Sequence, residues 1–297
     1  MAAITPVPRD SNLYWYKGFC FLKEIMSPEF IDSLHDFKIR DDDVFLITYP
    51  KSGTIWSQQI LSLICSEGHR NGTEKIETSE RVKWFEFRTL NPDVDYNSCP
   101  SPRLFVSHLS ETLVPRGLKN TKAKVIYVMR NPKDVMNSFY HFQKIAVLSE
   151  KSPDFQHFFE KFLDGEVYGG KWFDHLQGWY NHKDAYNILF LKYEDMIKDL
   201  QSVAKEISTF LGIKLDDKAM DIVIKKASFK EMKTDPLANK EYVPENIIDK
   251  KCGSFMRKGQ VGDWKNIMTV AQSETFDKLL QEKMGNLSLN FTWEFSE

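Results

Sequence analysis

Two stretches of this chain set basic side chains beside glycine in a way that suits an oxyanion. Pro50-Lys51-Ser52-Gly53-Thr54 follows the apolar, β-branched run from Val44 to Tyr49 and precedes Ile55, Ile60, Leu61, Leu63 and Ile64 at near-helical spacing. A loop that leaves a strand and enters a helix aims unpaired backbone N–H groups and the positive end of the helix dipole at one spot. Gly53 lets the backbone come close and Lys51 adds a full charge, so the expectation is a phosphate or sulfate cradle. It is not the nucleotide loop G-x-x-x-x-G-K-[ST], because Thr48 stands where that motif has its first glycine. The plain alternative is a strand-helix turn with a solvated lysine. The second stretch is Phe255-Met256-Arg257-Lys258-Gly259-Gln260-Val261-Gly262-Asp263-Trp264. There Arg257 offers a planar fork and Lys258 a point charge, enough for a second phosphate, although composition alone favours a solvated basic turn.

Other candidates stand at the ends of predicted strands. His108 closes the apolar run Leu104-Phe105-Val106-Ser107, which would place it at a carboxyl end, where open α/β sheets bind ligands. Residues Lys124 to Phe142 repeat the strand-turn-helix grammar: a strand from Val125 to Met129, a turn at Arg130-Asn131-Pro132, then a helix with Pro132 in its first turn. Ser138 falls inside that helix, so Arg130 and Ser138 can address one anion, or can both be structural. Tyr193-Glu194-Asp195 follows an apolar strand, Ile188 to Leu191.

The elements that must position these residues alternate. Helical spacing recurs at Leu200 to Leu211 and Asp217 to Lys226, and across the aromatic stretch Phe155 to Tyr180, interrupted at Gly169-Gly170. Strands and helices in this rhythm predict an α/β fold, one domain over residues 1–297, with a mostly parallel sheet flanked by helices. The aromatic segment Leu13 to Phe37 either lies over a pocket or packs in the core. Arg40 to Asp43 reads as a charged turn, and Ser66 to Glu80 as a polar surface loop. The proline-punctuated stretch through Asn91-Pro92-Asp93 and Cys99-Pro100-Ser101-Pro102 is long for a connection, and such loops are often lids. Lys265 to Glu274 reads K-x-x-x-T-V-x-x-x-E around Thr269 and Val270. Two antiparallel copies would be self-complementary, as a two-fold homodimer requires.

Bulk properties exclude several classes. A net charge of −2 gives no global field for nucleic acid or an anionic membrane. No apolar run reaches the length of a bilayer span, and the N-terminal stretch MAAITPVPRDSNLYW has no signal-peptide pattern, which together predict a cytoplasmic protein. Cys20, Cys65, Cys99 and Cys252 are scattered and read as reduced packing thiols, not disulfides or zinc ligands. Asn71, Asn286 and Asn290 match the glycosylation pattern, which means nothing without a secretory route.

Taken together, TYPKSGTIW at residues 48–56, Arg130-Asn131-Pro132-Lys133-Asp134 with Ser138, Tyr193-Glu194-Asp195, and Arg257-Lys258-Gly259 through Gly262-Asp263-Trp264 resemble the cytosolic sulfotransferases nearly end to end. That family moves a sulfuryl group from 3′-phosphoadenosine 5′-phosphosulfate (PAPS) to a hydroxyl or amine of a small acceptor, leaving adenosine 3′,5′-bisphosphate, without metal. The resemblance implies that Lys51, Ser52, Gly53 and Thr54, in a loop running on to Ile55, hold the 5′-phosphosulfate. It gives the 3′-phosphate to Arg130, Ser138, Arg257, Lys258 and Gly259 beside Met256, stacks the adenine between Trp56 and Phe229, and brings Tyr193 to the nucleotide. His108 matches the family's general base, a role suited to a group that can take a proton near neutral pH. Lys51 would stabilise charge on the departing oxygen, with no enzyme-bound intermediate.

Some positions depart from the family pattern. Val106 and Ser107 stand where many relatives carry Lys-Thr, Ile55 replaces a frequent second Thr, and Ala227 replaces a Thr before Ser228 and Phe229. These would slow or retune turnover and leave the donor site intact. Asp41-Asp42-Asp43-Val44-Phe45 and Thr54-Ile55-Trp56 resemble the amine branch, and a role in xenobiotic metabolism follows from the family. The acceptor pocket is expected to be aromatic, lined by Phe21, Trp84, Phe142 and Leu148, with Glu86 as the acid for a cationic amine. Two alternatives are a small-molecule kinase, which would need a Walker-type loop and carboxylates for Mg²⁺, and a catalytically silent nucleotide-binding relative.

Overall fold

The computed structural model describes residues 11–87 and 94–295. Met1 to Asp10 and the Asn91-Pro92-Asp93 part of the expected lid lie outside the described residues. The chain opens with an antiparallel hairpin, β1 (Leu13–Tyr16) and β2 (Phe19–Leu22), then α1 (Pro28–Leu34). Next come β3 (Val44–Thr48), α2 (Thr54–Cys65), α3 (Thr78–Arg81), β4 (Lys83–Trp84), β5 (Leu104–Ser107) and β6 (Lys124–Met129). Helices α4 (Pro132–Ile145), α5 (Phe155–Asp164) and α6 (Trp172–Asn181) lead to β7 (Asn187–Lys192). The rest is helical or irregular: α7 (Tyr193–Lys198), α8 (Leu200–Leu211), α9 (Asp217–Ala227), α10 (Phe229–Thr234) and α11 (Val270–Met284).

The main sheet has five strands in the order β4-β5-β3-β6-β7, every neighbouring pair parallel. Both faces are covered, which is why β3 can be apolar at almost every position. Its odd residues Phe45 and Ile47 join Phe105, Val125 and Tyr127 in a core closed by α4, α5, α6 and α11, together with the hairpin. Val44 and Leu46 join Val106, Ile126 and Val128 in a second core under α2, α8 and α9. The aromatic amino-terminal stretch thus packs chiefly as core.

Local chemistry sets the boundaries. Asn131 caps α4 by accepting the N–H of Lys133 at 3.0 Å, with Pro132 following. The break in the Phe155 to Tyr180 pattern comes at Gly165, which takes the left-handed C-cap of α5 at φ 77°, ahead of the expected Gly169-Gly170. Asp43, in the charged turn before β3, is buried and bidentate with Arg103 at 2.7 and 2.5 Å. This pair sits at the amino ends of the strands. The described part of the presumed lid is tied there too, Arg40 reaching the Cys99 carbonyl at 2.8 Å and Arg103 the Tyr96 carbonyl at 3.2 Å.

Parallel strands share one carboxyl edge. The residues following β5, β3, β6 and β7 are His108, the Tyr49 to Gly53 loop, Arg130 and Tyr193, so the sheet order alone gathers four motifs that are far apart in sequence.

Candidate active site

The first basic loop has the backbone of an anion cradle. Lys51 and Gly53 both have positive φ, 71° and 95°. A Cβ at Gly53 would lie 2.6 Å from Tyr193 Cδ2, so only glycine fits. Helix α2 starts at Thr54 without a side-chain cap, and its first N–H groups remain available. Buried Ser52 Oγ and Arg130 Nε find no hydrogen-bond partner among the described residues. Lys51 Nζ lies 3.9 Å from the Phe142 ring centroid and 4.4 Å from that of Phe255. Burial first, then the charges of Arg130 and Arg257, pull the Lys51 pKa down to about 7. The pocket therefore carries an excess of positive charge that an anionic ligand relieves.

Arg130 joins this loop to the second one, donating to the Lys51 carbonyl at 3.0 Å and the Gln260 carbonyl at 3.3 Å. Its guanidinium carbon lies 4.2 Å from the Tyr193 ring centroid. The second loop is buckled to α4 by Asp134, whose oxygens accept the N–H groups of Gly262 at 2.8 Å and Trp264 at 2.9 Å. Asp263 bridges Arg257 at 2.6 Å and Lys258 at 2.5 Å, and accepts from Asn137 at 2.9 Å. Burial would raise the Asp263 carboxyl, but hydrogen bonds from Lys258, Asn266 and Arg257 override it and hold it well below the usual range. Gly259, at φ 65°, crosses so close over Phe229 that a Cβ would lie 2.5 Å from the ring. Trp56 is fixed by its indole N–H on the Ala227 carbonyl at 2.7 Å. Trp56, Phe229, Met256 and Ser138 share one cavity wall with both loops.

His108 lines the same cavity. Its Nδ1 is 2.7 Å from the Thr48 carbonyl, and a carbonyl only accepts, so Nδ1 carries the hydrogen and Nε2 is the acceptor. The Thr48 hydroxyl lies 3.1 Å from Nδ1 and 2.8 Å from the Thr54 hydroxyl, linking the histidine to the first loop. The backbone of His108 is held as well: its N–H donates to Glu86 Oε1 at 2.7 Å, and its carbonyl accepts from His175 Nε2 at 2.9 Å. Burial lowers the His108 pKa to about 3, opposed by the Thr48 bond and aided by His175 and Lys51. The imidazole is neutral at neutral pH.

The cavity encloses about 650 Å³, within the range of small-molecule sites. Trp84, Phe142 and Leu148 line it. Phe21 does not: it is buried in the hairpin core, its ring 4.5 Å from that of Phe19. Glu86 is not on the wall either, being fully buried and engaged by His108 and by the Tyr168 hydroxyl at 3.2 Å. Burial raises its pKa to about 7. Val243 and Ile247 close the far side, on a segment pinned to the end of α4 by Val147 N–H on the Ile247 carbonyl at 3.0 Å and Asp249 N–H on the Ile145 carbonyl at 2.8 Å.

A sulfotransferase domain family model matches residues 41–288. The chain is 51% identical over 284 residues to the amine sulfotransferase of Oryctolagus cuniculus, covering 95% of this chain and 94% of the relative. It is 39% identical over 264 residues to sulfotransferase 1C2 of Rattus norvegicus, covering 88% and 89%. A mouse sulfotransferase solved in complex with PAP superposes with a TM-score of 0.77 at 33% identity, covering 94% of this chain and 97% of that one. The chain belongs to the sulfotransferase family. It is a sulfotransferase enzyme, which removes the kinase alternative.

Several residues that organise this sulfotransferase were not foreseen. Thr48, Asp134 and His175 each act on a motif residue through a hydrogen bond between separate elements; Glu86, expected only as a pocket acid, does so on His108, and Asp263 pairs with Arg257 within the second loop. Of these, Asp134 and Asp263 lay inside quoted motifs as charges without a partner. Val106 and Ile55 are buried, Val106 in the second core and Ile55 against Met232 and Ala238. In the Lys265 to Glu274 segment, Lys265 pairs with Glu294, Thr269 caps α11, and Val270 is 75% exposed. Among the described residues no helix is long and apolar enough to cross a membrane.

Proposed function

We propose that this sulfotransferase takes the sulfuryl group from PAPS and delivers it, in line and without metal, to a hydroxyl or amine of a small aromatic acceptor, with His108 as general base. The observation that carries the reading is the fixed tautomer of His108: with Nδ1–H committed to the Thr48 carbonyl, Nε2 is the ring's acceptor on a cavity it shares with Lys51. When bound, PAPS supplies an activated sulfuryl group. The uncapped start of α2, Lys51 and the buried Ser52 hydroxyl suit its phosphosulfate. Arg130, Arg257, Lys258 and the Gly259 backbone suit the 3′-phosphate, with Ser138 nearby, and Trp56 and Phe229 suit the adenine. His108 Nε2 takes the acceptor's proton while Lys51 stabilises charge on the oxygen that leaves sulfur. The mouse sulfotransferase solved with PAP supports the donor, and the Oryctolagus relative supports amines among the acceptors.

In this reading the enzyme forms a homodimer through Lys265, Thr269, Val270 and Glu274, and works in the cytoplasm. The test is transfer of labelled sulfate from PAPS to phenols, arylamines and hydroxysteroids in the presence of EDTA. A labelled product is expected. No product with any acceptor, from protein shown to be folded, overturns the proposal.

A further inference from the structure

Glu86 is an expensive residue where it stands. It is 0% exposed, its Oε2 has no hydrogen-bond partner among the described residues, and no ion pair there reaches it. Burying a carboxyl group without full hydrogen bonding opposes stability, so packing does not account for it. Its other oxygen makes the contacts that matter. Oε1 accepts the backbone N–H of His108 at 2.7 Å and the hydroxyl of Tyr168 at 3.2 Å. Tyr168 lines the cavity, and its ring centroid is 5.9 Å from that of His108. On the other side of the same residue, His175 donates to the His108 carbonyl and receives the Tyr127 hydroxyl at 2.9 Å. The backbone of His108 is thus gripped at both its N–H and its carbonyl by buried side chains.

We propose that Glu86 is a positioning residue for the reaction, one carboxyl oxygen setting both the backbone of His108 and the cavity-wall tyrosine that faces it. The inference rests on His108 being the base. Loss of the grip lets the strand end move, and a misplacement of about 1 Å can cost about 10²-fold in rate. Donor binding, which uses the two basic loops, is untouched.

The experiment is a double-mutant cycle read by single-turnover rates with an acidic phenol, which keeps slow variants measurable. Glu86→Leu in otherwise intact enzyme is expected to slow turnover by about 10²-fold with PAP affinity unchanged, and Glu86→Gln, whose amide oxygen still accepts, to recover most of that loss. In a His108→Ala background Glu86→Leu is expected to change nothing, because the group it positions is gone. If Glu86→Leu does not fold, Glu86→Asp draws the carboxyl back by one methylene. It is expected to slow intact enzyme by about tenfold and to be silent in His108→Ala. Equal losses in both backgrounds, or a parallel fall in PAP affinity, assign Glu86 to the scaffold and overturn the inference. If His108→Ala is itself as fast as the unmodified enzyme, the base assignment fails first and this inference with it.

Discussion

The charge on Lys51 is the most exposed part of the proposed donor site to a quantitative test. In the free enzyme burial and the neighbouring Arg130 and Arg257 bring its pKa to about 7. The phosphates of PAP set opposite charge against the ammonium and favour its charged form. By linkage, binding then takes up a proton above pH 7 and affinity is lost as pH rises through the free-enzyme pKa. At pH 9, two pH units above a pKa of about 7, about one Lys51 in a hundred is protonated, so PAP is expected to bind about 10²-fold more weakly than on the low-pH plateau. Calorimetric titration from pH 6.5 to 9, in buffers of different ionisation enthalpy, measures both the affinity and the proton count. Lys51→Arg keeps the charge throughout and flattens the profile. A flat profile in the unmodified enzyme, or an unchanged slope in Lys51→Arg, refutes the reasoning.

Other outcomes follow from the same geometry. His108→Ala is expected to slow turnover with a hydroxyl acceptor by about 10²–10⁴-fold while sparing PAP affinity. The deficit should shrink as the acceptor's pKa falls, and a flat series of graded phenols removes His108 as the base. Replacing Arg257 and Lys258 together by Ala should weaken PAPS and PAP but leave adenosine 5′-phosphosulfate, which lacks the 3′-phosphate, almost unaffected. Equal losses for all of them in calorimetry make these residues structural. Val270→Glu places carboxylates against each other across the proposed two-fold and should give a monomer in sedimentation. A mutant still dimeric at micromolar concentration clears this segment of the role.

What the sequence revealed was local in its physics. The strand-loop-helix around Gly53 could be read because every part of an anion cradle lies within one turn of the chain: the apolar strand, the positive-φ glycine, the uncapped helix. Strands β3, β5, β6 and β7 were legible for the same reason, since each announces itself by its own apolar run, whereas the two-residue β4 (Lys83–Trp84) has no such run and went unread. Phe21 and Glu86 went the other way. An aromatic residue on a short, wholly apolar strand faces cavity or core according to how the hairpin docks, and β2 docks with Phe21 inward against Phe19. Glu86 looks like any acid beside aromatic residues until the pairing of β4 with β5 carries the chain past it to His108. Its partner lies across a connection that no local pattern constrains.

That division has a consequence for how the two halves of the site work together. Thr48 is the last residue of β3, the central strand, and its carbonyl and hydroxyl face His108 at the end of β5 while its hydroxyl also meets Thr54 at the start of α2. In the parallel register Ile47 pairs with Ser107, so the next residues, Thr48 and His108, are brought alongside by the sheet itself. The loop proposed to hold the donor and the residue proposed to take the acceptor's proton are therefore joined through one threonine, with no mobile segment between them. Ile55, next to Thr54, packs against Met232 and Ala238. The arrangement does not tolerate a shift of β3 against β5, because one step of register would take the imidazole off the carbonyl that fixes its tautomer. Glu86 and His175 hold the His108 backbone at that end of the sheet, just past the last residue of β5.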